Sequence, residues 1–67
     1  MLATAKQMAY LQHLTDMADL MKRRHPALIP TGLYHTVWPY MTSDLASKRI
    51  DYYNQILNNA YSKLYRR

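Results

Sequence analysis

Two stretches of the chain repeat apolar residues with the period of an α-helix. In the first, they recur every three or four positions at Tyr10, Leu14, Met17 and Met21, with Leu11 and Ala18 beside them. One face of a helix over this stretch is therefore apolar. Upstream, Thr4 to Gln7 match a capping box, in which each side chain bonds the other residue's backbone amide. Downstream, His25 precedes Pro26 and is disfavoured in the helical conformation, so the pattern predicts a helix over residues 5–24.

The second stretch follows Met41 and carries the same period over a greater length. Its apolar face is formed by Ala46, Ile50, Tyr53, Leu57, Ala60, Tyr61 and Leu64, flanked by Leu45 and Ile56. Thr42 or Ser43 is expected to cap the helix. Asp44 falls in the first turn, where the helix dipole favours a negative charge. We predict a helix over residues 43–65.

The connection between these helices contains all three prolines and the only glycine of the chain. Within it, residues 32–38 suit a short third helix, because Leu33 pairs with Val37 and Tyr34 with Trp38 at a spacing of four. The same residues also alternate between two sides, so a short extended segment remains an alternative. Trp38 is expected to fill the core, since the lone tryptophan of a small helical domain usually does. The alternative is that Trp38 stacks on exposed bases of a nucleic acid together with Tyr34 and Tyr40.

These elements predict an all-α fold and a single small domain over residues 1–67. Two helices of about twenty residues, each with one apolar face, pack most simply as an antiparallel pair. The Pro-rich connector would lie across their open side and cover it with Leu28, Ile29, Leu33, Val37 and Trp38. A chain this short buries only about 60% of its unfolded surface, and with no cysteine it has no disulfide to stabilise it. Association, with itself or with a larger protein, is the remaining source of stability.

Charge is the strongest signal in the composition. Nine Lys and Arg stand against four Asp, which gives a net charge of +5. A basic excess on so small a body favours polyanions such as nucleic acid, although it also serves solubility alone. No stretch approaches the roughly 18 apolar residues of a membrane span, and no signal peptide is recognised. We therefore expect a cytoplasmic protein with no membrane partner.

The cations suggest where a nucleic acid would bind. In an antiparallel pair the end of the first helix meets the start of the second, which would gather Lys22, Arg23, Arg24, Lys48 and Arg49. We predict that these five residues contact phosphates of duplex or single-stranded DNA. For the run at 22–24, the alternative is that the cations only complement the helix dipole.

Other residues are candidates for contact with a partner. Seven tyrosines and no phenylalanine suit surfaces that are apolar on one side and wet on the other. The residues that the core can spare are His25, Tyr34, His35, Tyr40 and Tyr52.

Catalysis and metal binding are not predicted. The chain has no Cys and no Glu, and Asp16 and Asp19 are expected on a solvated helix face. The three histidines are twelve and ten residues apart, without the local pairing that metal sites usually have. We expect no enzymatic activity, no cofactor and no metal site.

Two short stretches resemble a known kind of module. Ala3 to Leu11, ATAKQMAYL, resembles the pattern A-T-x-K-Q-x-x-Y-[IL], which opens a small helical module in bacterial, plasmid and phage proteins that process DNA. Thr42 to Ile50, TSDLASKRI, is similar to its second half, T-x-x-x-A-S-x-x-I, with Ala-Ser one position earlier. The module is similar to helix–extended connection–helix DNA-binding folds such as SAP and LEM-like domains. The resemblance implies a non-enzymatic accessory of a replication or recombination protein of a phage or mobile element.

A second function remains open from the sequence. The chain could be a protein-interaction subunit that docks on a larger enzyme and activates or inhibits it, with no affinity for DNA. Its positive charge would then steer it to an acidic protein surface. Self-association is compatible with either function.

Overall fold

The structure is a computed structural model that describes residues 1–30 and 40–65. Helix α1 spans Ala5–Arg24, a single 3-10 turn follows at Pro26–Leu28, and helix α2 spans Ser43–Tyr65. The all-α architecture and the bounds of both long helices are confirmed. The predicted short element over 32–38, with Trp38, lies outside the described residues.

Both long helices begin at a side-chain cap. Before α1, the Gln7 amide donates to Thr4 Oγ1 at 3.1 Å and the Thr4 amide donates to Gln7 Oε1 at 2.9 Å. This is the predicted capping box, which satisfies two amides that the helix itself leaves unpaired. Before α2, the Leu45 amide donates to Thr42 Oγ1 at 3.2 Å. Of the two predicted candidates, Thr42 is therefore the cap.

The two helices run parallel, so the predicted antiparallel pairing is wrong. Near their starts, Gln7 Nε2 donates to Ser47 Oγ at 3.2 Å. Further along, the Tyr10 hydroxyl donates to Asn54 Oδ1 at 3.3 Å. At the other end, the last turn of α1 and the last turn of α2 line the same cavity. Facing residues thus advance in the same direction along both helices.

The connection between the two helices is long enough for them to pack in parallel. A helix of twenty residues is about 30 Å long. Eighteen residues, 25–42, separate the two helices. An extended chain of that length could span up to about 60 Å, so it can return to the start of α1 before α2 begins. The antiparallel prediction applies to short connections, and this one is not short.

The N-terminal segment joins the start of α2 to the start of α1. The Ala3 amide donates to the carbonyl of Met41 at 2.9 Å, and the Ser43 amide donates to the carbonyl of Met1 at 3.0 Å. One isolated antiparallel bridge lies between these two bonds. We call these backbone bonds, together with the side-chain bonds of Gln7, the N-terminal clasp.

Gln7 is the side chain that connects the parts of this clasp. Its Oε1 accepts from the Thr4 amide at 2.9 Å and from Ser43 Oγ at 3.4 Å, while its Nε2 donates to Ser47 Oγ. One residue therefore caps α1 and binds the first two turns of α2. Because these partners lie on both helices, the bonds form only when the two helix starts are adjacent.

The interface between the helices follows one spacing on both sides. Buried residues recur three and four positions apart at Leu11, Leu14, Ala18 and Met21 in α1, and at Tyr53, Leu57 and Ala60 in α2. Ala46 and the half-buried Ile50 continue the series towards the start of α2. Alternating spacings of three and four are typical of the seam between parallel coiled-coil helices. Three fully buried alanines in this seam leave room for the two backbones to approach.

The buried face of α1 differs slightly from the prediction. Leu11 and Ala18 lie at its centre, while Met17 is half-buried and Tyr10 is exposed. The hydroxyl of Tyr10 explains its place, because it bonds Asn54 at the rim of the interface rather than entering the core. The predicted face of α2 is confirmed, except that the flanking Ile56 is buried whereas Tyr61 and Leu64 are only half-buried.

The described ends of the connector close part of the core. Ile29 is buried in a cluster with Met21, Ile56 and Ala60, and Leu28 packs against it. At the other end of the helices, Met41 is buried in the cluster around Leu11, Leu14 and Tyr53. The predicted covering role of the connector is thus confirmed for Leu28 and Ile29. Its other predicted core residues, Leu33, Val37 and Trp38, lie outside the described residues.

Tyr53 is a titratable group inside this core. Burial raises the pKa of its hydroxyl above the ordinary value of 10.0. The positive charge of Arg49 opposes that rise, whereas Tyr52 and Asp19 add to it. The neutral phenol is therefore the form that the folded protein favours.

The parallel direction of the helices is testable by crosslinking. The chain has no cysteine, so cysteines introduced in pairs react without background. We expect Tyr10→Cys with Asn54→Cys to be joined efficiently within one chain by a short bismaleimide, because these side chains are in contact and lie outside the clasp. Tyr10→Cys with Asn59→Cys is the matched control, since an antiparallel pair would bring those two positions together. Efficient crosslinking of the control pair alone would contradict the parallel arrangement.

Removing the central side chain of the clasp should destabilise the fold. We expect Gln7→Ala to lower the free energy of unfolding by about 1–2 kcal/mol, because it removes a helix cap and the bonds to α2. Gln12→Ala is the matched control, because the bonds of Gln12 Nε2 within residues 1–30 and 40–65 go to Thr15 and Asp16 of its own helix. Its cost should stay near 0.5 kcal/mol, roughly the value for a surface substitution. Urea unfolding measures both, and equal losses would argue against the role of the clasp.

The raised pKa of Tyr53 predicts a loss of stability at alkaline pH. Above about pH 10 the unfolded chain releases the phenolic proton before the folded chain does, so the free energy of unfolding falls as pH rises. We expect Tyr53→Phe to lose less stability than the wild type between about pH 9 and pH 11. Ile56→Val, which removes a buried methyl group and no titratable group, should keep the wild-type loss. Urea unfolding at both pH values measures the difference, and identical losses in all three proteins would refute the prediction.

Candidate nucleic-acid interface

Both long helices end at the same end of the molecule, and both end in cations. The last turn of α1 carries Lys22, Arg23 and Arg24, and the last turn of α2 carries Lys63. We call these four residues the basic end. The sequence contains no aspartate between positions 20 and 43 or after position 51, so no carboxylate side chain belongs to the last turn of either helix. The parallel arrangement therefore concentrates positive charge at one end.

The four cations of the basic end differ in their exposure and in their bonds to the rest of the structure. Arg23, Arg24 and Lys63 are exposed. Lys22 is half-buried, and its Nζ donates to the carbonyl of Pro30 at 3.4 Å, which ties the connector to α1. The two arginines are thus the exposed cations in the last turn of α1.

The structure does not bring the five predicted phosphate-binding residues together. Lys48 and Arg49 follow Ser47, which contacts Gln7 near the start of α1. Arg24 lies seventeen residues further along that helix, at a distance of about 25 Å. This exceeds the roughly 8 Å over which charges interact in physiological salt, so the two groups act as separate sites.

Arg49 also has a role within the fold. It is half-buried, and its positive charge acts on the hydroxyl of Tyr53 in the core. Lys48 is exposed on the outer face of α2, beside Asp51 and Tyr52. Of the two, Lys48 is the cation with more access to solvent.

A half-open cavity of about 290 Å³ lies between the last turns of the two helices. We call it the terminal groove. Its lining includes Leu20, Arg24 and His25 from the α1 side and Tyr61, Leu64 and Tyr65 from α2. Leu20 is 55% exposed, so the apolar side of the groove is open to solvent. Apolar, aromatic and cationic side chains are thus combined at the basic end.

Two tyrosines form the aromatic side of the terminal groove. The rings of Tyr61 and Tyr65 lie nearly parallel, with centroids 6.2 Å apart and 13° between their planes. Residues four apart share one helix face, which places these rings one above the other along α2. Tyr61 is half-buried, whereas Tyr65 is 76% exposed. The outer ring is therefore accessible to a further planar group.

The predicted partner-contact residues are distributed over the molecule. His25 lines the terminal groove. Tyr40 is exposed but lies at the opposite end, next to the N-terminal clasp. Tyr52 is half exposed on the outer face of α2, where its ring contacts Tyr53 edge to face. Tyr34 and His35 lie outside the described residues.

Sequence reasoning missed Leu20, Tyr61 and Tyr65 as members of a site. Tyr61 was assigned to the core face of α2, where it is only half-buried, and Leu20 and Tyr65 were not singled out. The spacing of four between two tyrosines, immediately before Arg66 and Arg67, was a usable signal. It becomes informative only when both helices are known to end at the same place.

Metal and membrane sites are not found in the part of the chain that the structure describes. Within residues 1–30 and 40–65, no three His, Cys, Asp or Glu side chains come together in a group that could bind a metal ion. Neither of the two long helices among these residues is apolar enough to cross a membrane.

Comparisons with known proteins do not assign the chain to a family. It matches no protein-family model, no curated protein and no solved structure. The similarity to SAP and LEM-like modules stays a prediction.

Proposed function

We propose that the protein is a non-enzymatic module that binds nucleic acid through its basic end. One observation carries the proposal: parallel helices collect Lys22, Arg23, Arg24 and Lys63 at one end, in turns that hold no carboxylate side chain. Phosphate groups are the ligands that such exposed cations bind in nucleic acids, without regard to sequence. Lys48 would supply a separate, weaker contact.

The helix dipoles offset only part of the positive charge at the basic end, because each C-terminus carries about half a negative charge against four cations in total. The carbonyl ends of both helices favour nearby cations, which explains part of the sequence pattern. Arg23 and Arg24 nevertheless extend into solvent rather than pair with an acidic side chain in their own turn. The cations that the helix dipoles favour at this end therefore remain available to a polyanion.

The biological setting of the proposal comes from the resemblance alone. The stretches at residues 3–11 and 42–50 are similar to a module of bacterial, plasmid and phage proteins that process DNA. We accordingly propose DNA as the nucleic acid, and an accessory role beside a replication or recombination protein of a phage or mobile element.

One observation favours a second candidate, a protein-interaction subunit. The exposed Leu20 and the aromatic pair give the terminal groove an apolar lining, and grooves between helices can accept an amphipathic helix. The chain would then regulate a larger enzyme through an acidic segment of that partner. A stable complex with such a protein, formed by a chain that has no affinity for DNA, would support this candidate over the first.

Binding to a labelled oligonucleotide tests the first candidate. Four phosphate contacts predict that log K falls with log salt at a slope of about −3 to −4 on duplex DNA. We expect Arg23→Ala with Arg24→Ala to reduce affinity at least tenfold and to lower the slope by about 2. Fluorescence anisotropy at several salt concentrations measures both quantities.

The control variant has the same net charge. Lys6→Ala with Lys48→Ala removes two exposed cations from the opposite end of the molecule. It should cost much less affinity if the basic end is the site. Equal losses in the two double variants would indicate diffuse attraction without a site. Absence of binding at low salt would refute the nucleic-acid proposal itself.

A further inference from the structure

We propose that the terminal groove is a stacking site for one unpaired base, so that the protein prefers single-stranded over duplex nucleic acid. The inference rests on the proposed function and deepens it, because it names the form of nucleic acid that the basic end receives. It depends on three features at one place: an exposed aromatic ring, an apolar wall opposite it, and cations beside both.

The exposed ring belongs to Tyr65. It is 76% accessible, and the ring of Tyr61 lies nearly parallel to it on the inner side. Tyr61 is itself half-buried, so it limits the movement of the outer ring on that side. Proteins that bind single strands commonly stack bases on aromatic side chains placed in this way, because every base has a flat π-face.

The size of the groove suits a small planar group. Its volume of about 290 Å³ is at the lower limit of about 300 Å³ for small-molecule pockets. Leu20 and Met17 form its apolar lining on α1, while Arg24 and His25 add groups that can bond a phosphate or a base edge. A base and its own phosphate would thus meet matching surfaces within one groove.

The same side of the helix pair is less suited to a docked helix. Such a helix needs apolar anchors over two or more turns. Tyr10 precedes Met17 by seven residues, and Asn54 precedes Tyr61 by seven, so both lie on the groove side of their helices. The hydrogen bond between Tyr10 and Asn54 joins the two helices there at 3.3 Å. This polar link limits the apolar surface to the part of the groove between Met17 and Arg24, about 10 Å along α1, which favours a compact ligand.

A duplex cannot use this site without opening. In a double helix each base is covered on both faces by its neighbours, whereas an unpaired base can turn a face to a protein ring. Phosphates of the same strand would meanwhile contact Arg23 and Lys63. The inference therefore predicts a preference that phosphate contacts alone would not give.

Anisotropy titrations with a labelled oligothymidylate, and with a duplex of the same length and label, test the inference. We expect tighter binding of the single strand. Tyr65→Ala should weaken single-strand binding about tenfold and leave the salt slope unchanged, because stacking releases no counterions. Tyr65→Phe keeps the ring and should bind nearly as the wild type. Tyr52→Ala, which removes a half-exposed tyrosine remote from the groove, is the matched control.

The outcomes separate this inference from the proposed function. If Tyr65→Ala binds the single strand normally while Arg23→Ala with Arg24→Ala does not, the stacking site is wrong and the basic end stands. Equal loss on single strand and duplex, or tighter duplex binding, would also overturn the inference. If neither oligonucleotide binds at low salt, the proposed function fails first. Tyr65 is the last described residue of α2. Thermal unfolding of each variant checks that the substitution has not altered the fold.

Discussion

In the N-terminal clasp, Gln7 bonds Thr4 of its own helix and Ser43 and Ser47 of the next, while residues 1–3 pair with residues 41–43. These bonds place the start of α2 beside the start of α1. Parallel neighbours align their dipoles side by side, which is electrostatically less favourable than the antiparallel alternative. The clasp and the seam of evenly spaced core residues must outweigh that cost. Every later feature, from the register of the core to the charge at the far end, depends on this alignment.

Local signals in the sequence were sufficient for the helices and insufficient for their direction. Apolar periodicity and the capping box are properties of single helices, so α1 and α2 could be predicted with their bounds. The same periodicity indicates which face of a helix is buried. It does not indicate whether the neighbouring helix packs parallel or antiparallel to it. The bond from Gln7 to Ser47 joins residues 40 positions apart, and no local sequence pattern near either residue predicts it. The choice of direction is a non-local property.

The candidate site changed with that direction. An antiparallel pair would have joined Lys48 and Arg49 to the cations of α1, whereas the parallel pair joins Lys63 to them and brings Tyr65 alongside. The run at 22–24 was identifiable because consecutive cations are a local pattern. The groove was not identifiable, because Leu20 and Tyr65 belong to different helices and have no common pattern in the sequence.

The molecule measures 43 Å along its length and about 18 by 16 Å across. The basic end lies at one of the two short ends of this elongated molecule. A polyanion would therefore bind that end, and the long axis of the molecule would point away from the strand. In that orientation each molecule would cover little of the strand. The opposite end, with the N-terminal clasp and Tyr40, would extend into solvent.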